Sequence, residues 1–161
     1  MEQIDIDGTD IKLLDALQTD ASLSNQALAE LVHISPPTCL RRVKRLKDAG
    51  LIEREIALLN PDKLAVITGH GLTAIVEITL ERQVDEYLSA FEKRLSLDAA
   101  VQQCYRTSPG PDMVLVVHVA DMPAYLALSQ RLFTGDANVR NVKAFFSIKR
   151  SKFEPKVLLA L

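Results

Sequence analysis

Apolar residues in the first third of this chain recur at helical spacing, while beyond residue 70 strand spacing and helical spacing take turns. Ile11, Leu14 and Leu17 form a stripe that predicts a helix over about 7–19, with Asp7 as its cap. Ala27, Leu28, Leu31 and Val32 predict a second helix over about 24–32, capped by Ser24. Only His33-Ile34-Ser35 separates it from a third. There Ser35 suits an N-cap, since its hydroxyl can accept an orphan backbone N–H, and Pro36 suits the first turn. Leu40, Val43 and Leu46 recur every three residues and predict that helix's buried face. Asp48-Ala49-Gly50 ends it, with Gly50 as the left-handed residue.

Residues 51–59 read as extended, a strand or a small wing. Asn60-Pro61-Asp62 predicts a turn and Thr68-Gly69-His70-Gly71 a flexible joint, so the domain boundary falls between 60 and 71. Leu72, Ala74, Val76, Ile78 and Leu80 then alternate with mostly polar neighbours and predict a strand. Val84, Tyr87, Leu88, Phe91 and Leu95 switch to helical spacing, and residues 99–107 alternate again more weakly. After Ser108-Pro109-Gly110-Pro111, the almost wholly apolar run 113–119 predicts a central strand. Tyr125, Leu128 and Leu132 predict a second helix, and Val142, Ala144, Phe146 and Ile148 a last strand. The order βαββαβ is the ferredoxin-like plan. Two helices cover one sheet face and leave the other needing a cover, a physical reason to expect dimerisation. The apolar tail Val157-Leu158-Leu159-Ala160-Leu161 is a second candidate for an interface. The expected fold class is α+β. A helix-turn-helix domain over 1–60 has a strand linker to about 71, and a ferredoxin-like domain spans 72–161.

Composition narrows the class. With 48% hydrophobic and 25% charged residues the 161-residue chain has the mix of a soluble globular protein. No apolar run approaches the roughly 18 residues of a membrane span. The acidic start Met1-Glu2-Gln3-Ile4-Asp5 does not resemble a secretory signal, so the expected location is the cytoplasm, with no membrane partner. Cys39 and Cys104 lie far apart without metal-ligand spacing and read as buried thiols. No metal or cofactor is expected.

Charge is where function becomes legible. The formal net charge is -2, and residues 1–65 carry eight Lys/Arg against eleven Asp/Glu, a balance of -3. Yet five basic residues, Arg41, Arg42, Lys44, Arg45 and Lys47, crowd the third helix. On a helical wheel Arg41, Lys44 and Arg45 cluster opposite the apolar stripe, with Thr38 beside them and Arg42 on their flank. A helix with an apolar back, a basic front and a small polar N-terminus has the build to enter a DNA major groove. Such a helix preceded by a short turn is the second member of a helix-turn-helix. Acidic charge elsewhere would repel DNA in wrong orientations while the basic face attracts phosphates.

With both halves placed, the chain resembles the Lrp/AsnC (feast/famine) family of transcription regulators over nearly its whole length. Ile6-Asp7-Gly8-Thr9-Asp10-Ile11-Lys12-Leu13-Leu14 is similar to the family's "LDxxDxxIL". The run 28–35, Leu-Ala-Glu-Leu-Val-His-Ile-Ser, is similar to "LAxxVGLS", with His33 in place of Gly. Cys39-Leu40-Arg41-Arg42-Val43-Lys44-Arg45-Leu46 is similar to "CxRRVxRLE", Gly50-Leu51-Ile52 to "GVI" and Leu59-Asn60-Pro61 to "LNP".

The resemblance implies a winged helix-turn-helix domain joined to a ferredoxin-like effector and oligomerisation domain. It implies sequence-specific binding to a double-stranded DNA operator, homodimers that assemble into octamers, and a small amino-acid effector held between subunits. Carried over residue by residue, Ser35, Thr38, Arg41, Arg42 and Arg45 face DNA, with Pro37 in the same first turn and Lys44 a phosphate contact. Arg can pair bidentately with guanine or with phosphate, and the helix N-terminus can donate to a phosphate. The effector loop "TGDYDY" falls on Ser108, Pro109, Gly110, Pro111, Asp112 and Met113. Asp112 survives, but Gly110 sits one place late and both aromatics are replaced. Ala144 and Phe145 stand at Ser/Thr positions. Two prolines leave the loop fewer N–H donors. Met113 and its apolar surroundings favour an apolar effector, leucine or methionine. One alternative is an architectural DNA organiser with little effector response. A second is an enzyme like the siroheme decarboxylases, which share the architecture; His70 and His118 are the candidate residues. The basic helix argues against that reading, so no catalytic residue is expected.

Overall fold

A computed structural model describes residues 5–159. The chain divides into two compact units, one made of residues up to 58 together with the tail from 152, the other of 59–151. Met1 to Ile4, in the acidic start, and Ala160 and Leu161, at the end of the apolar tail, lie outside the described residues.

The first unit is a three-helix cluster. Helix α1 is Gly8–Thr19, α2 is Asn25–Leu31 and α3 is Pro36–Asp48. Asp7 caps α1 through a capping box: its carboxylate accepts the Thr9 and Asp10 N–H groups, and Asp10 reaches back to the Asp7 N–H. Ser24 caps α2 by accepting the Ala27 N–H at 3.2 Å. Both α2 and α3 end in Schellman turns. Gly50 supplies the left-handed residue after α3 at φ 73°, and His33 supplies it after α2 at φ 59°. The Ile34 N–H reaches the Ala29 carbonyl and the His33 N–H that of Glu30. Asn25 Nδ2 donates to the Pro36 carbonyl at 2.9 Å, tying the start of α2 to the start of α3. The core is Leu13, Leu28, Ala29, Val32, Cys39 and Leu46.

The buried face of α3 is therefore Cys39, Val43 and Leu46, not the expected Leu40, Val43 and Leu46. Leu40 is 62% exposed. Positions 39, 43 and 46 follow a period nearer 3.6 than the strict three of 40, 43 and 46, and that rotates the inward side toward Cys39. Residues 53–60 have no assigned strand pairing, although Lys47 Nζ and Glu55 Oε1 lie 2.8 Å apart and fix the chain as it leaves α3.

The second unit begins with a helix the apolar pattern did not predict. Helix α4, Pro61–Thr68, is capped by Asn60 and ends at Gly69. Asn-Pro-Asp opened a helix, since Asn caps and Pro is preorganised for the first helical position. Then come β1 (Leu72–Leu80), α5 (Asp85–Ser96), β2 (Val101–Arg106), β3 (Met113–Val119), α6 (Met122–Ser129) and β4 (Val139–Phe146). A wider π-helical turn, Gln130–Thr134, continues α6. The sheet order is β2-β3-β1-β4 with antiparallel neighbours throughout, the ferredoxin-like arrangement with β1 and β3 at the centre.

Alternation decides which face is buried. Ala74, Val76, Ile78 and Leu80 of β1 and Met113, Leu115 and Val117 of β3 point into a core closed by Phe91 and Leu95 of α5 and Tyr125 and Leu128 of α6. Arg106 ties β2 to α5, with Nη1 2.6 Å from Asp85 and Nη2 2.6 Å from Glu92. On the other face Ile75, Tyr105 and Phe145 are 44–53% exposed. The uncovered sheet face expected from the βαββαβ order is present on this chain.

Candidate nucleic-acid interface and effector loop

Helix α3 presents its front to solvent. Ser35, Pro37, Arg41, Lys44 and Arg45 are exposed and Thr38 is half-buried. Ser35 stands at the N-cap position, but its hydroxyl does not cap. It lies 2.8 Å from Thr38 Oγ1 instead, and Pro37 has no N–H to offer at the second helical position. The two hydroxyls form an exposed polar edge at the start of the helix. Lys44 pairs with Asp48 at 3.2 Å, an exposed contact worth little to stability.

Arg42 is placed elsewhere. It shares the inward side of α3 with Cys39 and Leu46 and turns onto α1, with Nη1 2.7 Å from Asp7 and 3.0 Å from Asp10. Its Nε is buried without a hydrogen-bond partner among the described residues. Asp7 first, then Asp10, hold the guanidinium more firmly protonated than usual. The Asp10 carboxylate is wholly buried. It takes Arg42 on Oδ1, and on Oδ2 both Arg45 Nη2 at 2.5 Å and the Asp7 N–H at 3.2 Å. Removing either arginine leaves this desolvated carboxylate with a single charged partner, which is why both contacts matter to the packing of α3 on α1. The helical wheel missed this because the signal lay in another helix, in the two aspartates three residues apart at the start of α1.

Cys39 is buried, and burial pushes its thiol above the ordinary range; burial and then Glu92 do the same for Cys104. Neither favours the reactive thiolate form. His118 lies on the exposed sheet face with Nδ1 3.0 Å from Thr73 Oγ1, opposite Thr73 in the strand register. His70 sits in the exposed joint after α4.

The loop 108–113 closes on itself. The Thr107 N–H donates to the Asp112 carbonyl at 3.0 Å and Thr107 Oγ1 to the Pro111 carbonyl at 2.5 Å. Asp112 turns back to the sheet, accepting the Leu80 N–H at 2.6 Å. Pro109 and Pro111 supply no N–H. Ser108, Pro109 and Gly110 are exposed, with Gly110 at φ 125°, whereas the Met113 side chain is wholly buried in the sheet core. Met113 therefore cannot line the outside of the loop, and the preference for an apolar effector drawn from it loses that support. A cleft of about 490 Å³ opens nearby in the same unit, lined by Arg82, Tyr87, Phe91, Arg94 and Asn138 but by no residue of 108–113.

Two known domain families match this chain in order. Residues 6–53 match the one described as Winged helix-turn-helix DNA-binding, and residues 73–157 match the Lrp/AsnC ligand binding domain. The DNA-binding transcriptional activator DecR of Escherichia coli K12 is 34% identical, over 92% of this chain and 95% of its own length. A leucine-responsive regulatory protein of Rhizobium meliloti is 33% identical, over 93% of this chain and 94% of its own. Among solved structures, an AsnC family transcriptional regulator from Agrobacterium tumefaciens superimposes with a TM-score of 0.82 at 32% identity, covering 95% of this chain and 97% of its own. A transcriptional regulator from Neisseria meningitidis solved as an L-Met complex gives 0.77 at 30% identity, covering 96% and 97%. Among the described residues no helix is long and apolar enough to cross a membrane. With an N-terminal helix-turn-helix, a ferredoxin-like domain that matches the Lrp/AsnC ligand binding domain, and relatives matched almost end to end, this chain belongs to the Lrp/AsnC family of transcription regulators.

Proposed function

We propose that the protein binds a double-stranded operator as a homo-oligomer by placing α3 in the major groove, and that a small amino acid modulates it. The carrying observation is the exposed front of α3: Ser35, Pro37, Thr38, Arg41, Lys44 and Arg45 lie along one side, with no apolar core residue among them. Ser35 and Thr38 suit a phosphate at the helix start, Arg41 a base edge, and Lys44 and Arg45 the flanking backbone. Arg42 supports the helix from behind. The uncovered sheet face around Ile75, Tyr105 and Phe145 supports a dimer formed there, with octamers as a further step. A two-fold dimer implies a pseudo-palindromic site.

Leucine or methionine is the effector class we favour. The support is the leucine-responsive relative and the neighbour holding L-Met, with 108–113 as the binding loop between subunits. One observation favours the organiser reading: the loop's few N–H donors and its closure through Thr107 leave little main chain to grip a zwitterion. Regulation needs no catalytic group, and the relatives named above are regulators. A mobility-shift assay on a duplex selected from a random pool, repeated with each of the twenty amino acids, decides between the two. A change in affinity or oligomer size with leucine or methionine supports a metabolite-responsive regulator. No change with any of them favours the organiser, and loss of the complex only on raising salt confirms phosphate contact alone.

A further inference from the structure

Asp10 is the charged residue that is fully buried among the described residues, and it lies against the DNA-facing helix rather than in a core of its own. Its two oxygens treat two arginines differently. Arg42 is used up inside: Nη1 bridges Asp7 and Asp10, Nε is enclosed, and a quarter of the side chain is exposed. Arg45 gives Asp10 only Nη2, and 47% of its side chain remains exposed. A guanidinium is planar, so holding one nitrogen narrows the directions in which the other N–H groups can point. An unanchored arginine of that length would have to lose its rotamer freedom on meeting DNA.

We propose that Asp10 is a positioning residue for DNA recognition: it withdraws Arg42 from the DNA-facing set and holds Arg45 by Nη2, so that Arg45's remaining donors meet a backbone phosphate with less freedom left to lose. The inference rests on the DNA-binding reading of α3. It also separates Arg42 from Arg45 within the basic run by function, Arg42 holding α3 against α1 and Arg45 touching DNA through the geometry Asp10 imposes.

The test is a double-mutant cycle on the full chain with a duplex selected from a random pool, using Asp10→Asn, Arg42→Ala, Arg45→Ala and the Asp10→Asn/Arg45→Ala pair. Arg45→Ala should flatten the plot of log affinity against log salt by about 1.8, the loss of one phosphate contact from each subunit of the dimer. Arg42→Ala should lower the melting temperature and leave that slope unchanged. Asp10→Asn should weaken binding roughly tenfold with Arg45 present and less than about twofold with Arg45 absent. A merely structural Asp10 would give equal losses in both backgrounds, and that result overturns the proposal. If Asp10→Asn does not fold, the slopes of the arginine variants decide alone: equal flattening by Arg42→Ala and Arg45→Ala, or none by Arg45→Ala, is the contrary outcome. A wild-type chain that selects no salt-sensitive duplex would instead strike the DNA-binding reading itself.

Discussion

The side-chain amide of Gln18 holds the backbone of Val157 from both sides: Oε1 accepts the Val157 N–H at 2.9 Å and Nε2 donates to its carbonyl at 3.0 Å. The C-terminal tail is thereby fastened to α1 within the helical unit, by a contact that reads main chain and not side chain. Glutamine is suited to this because one planar amide carries a donor and an acceptor side by side. Gln18→Ala should lower the stability of the helical unit by about 1 kcal/mol, the net worth of an exposed hydrogen-bond pair. Gln18→Glu should lose the donor half and release the tail nearly as well. Hydrogen exchange at the Val157 amide reports this directly: protection in the parent that persists in both variants would show that something else holds the tail.

His33 occupies the left-handed position that ends α2, at φ 59°. A Cβ there crowds the following carbonyl at a cost of roughly 1–2 kcal/mol, which glycine avoids. Glycine's greater freedom in the unfolded chain offsets part of that gain. His33→Gly should therefore stabilise the protein by roughly 1 kcal/mol and raise its melting temperature by a few degrees. The same change at Gly50 in reverse, Gly50→His, should destabilise it, since the two residues serve matching turns at φ 73° and 59°. Thermal unfolding of both variants checks the pair. An unchanged or lower melting temperature for His33→Gly would mean the imidazole contributes contacts beyond the turn.

Asp7 couples the cap of α1 to acid stability. The Asp10 N–H first, and the Arg42 guanidinium next, hold its carboxyl below the usual aspartate value of 3.8. The folded state thus binds this proton less readily than the unfolded chain does. The stabilisation is complete above 3.8 and disappears as pH falls through the lower folded value. Asp7→Asn keeps an oxygen to cap the helix and removes the charge. The stability gap between parent and variant, from urea unfolding, should be largest at neutral pH and should close on acidification from about pH 5 downward. A gap that stays constant with pH would assign the effect to the cap alone.

The parts of this protein that depend on local pattern were legible in the sequence. The strand over Leu72–Leu80 and the helix over Asp85–Ser96 follow from a switch of apolar period from two to nearly four, and each appears close to its expected bounds. Gly50 declared the end of α3 because only a left-handed residue closes such a turn. Helix α4 was hidden because Asn-Pro-Asp serves a turn and a helix start equally well, and because its own apolar residues Val66 and Ile67 face solvent in the single chain. Arg42 was hidden for a different reason. A helical wheel ranks side chains by hydropathy, and an arginine on an inward face is legible only once the aspartates of another helix are known to lie opposite it. Met113 reversed for the same reason, since a loop's last residue is also a strand's first, and pleat parity sent it into the core.

The uncovered sheet face supplies the last expectation. Ile75 of β1 and Phe145 of β4 are opposed in register, and both side chains stand on the face away from the helices, 44% and 53% exposed. Cross-strand apolar pairs left in water are a liability that a second copy of the same face removes, since a two-fold axis brings the patch onto itself. Phe145→Glu places a charge in that patch. It leaves the fold of the subunit intact, because the core lies on the other side of the sheet and the aromatic makes no contribution to it. Burying the new carboxylate at the interface, beside its own symmetry mate, should weaken dimerisation by about 2–4 kcal/mol, or roughly 30- to 1000-fold in dissociation constant. Sedimentation velocity over a concentration series reads the change, with circular dichroism to confirm the subunit's fold. A folded variant that remains fully dimeric would move the interface off this face, toward the apolar residues exposed elsewhere on the chain, such as Val66 and Ile67 of α4.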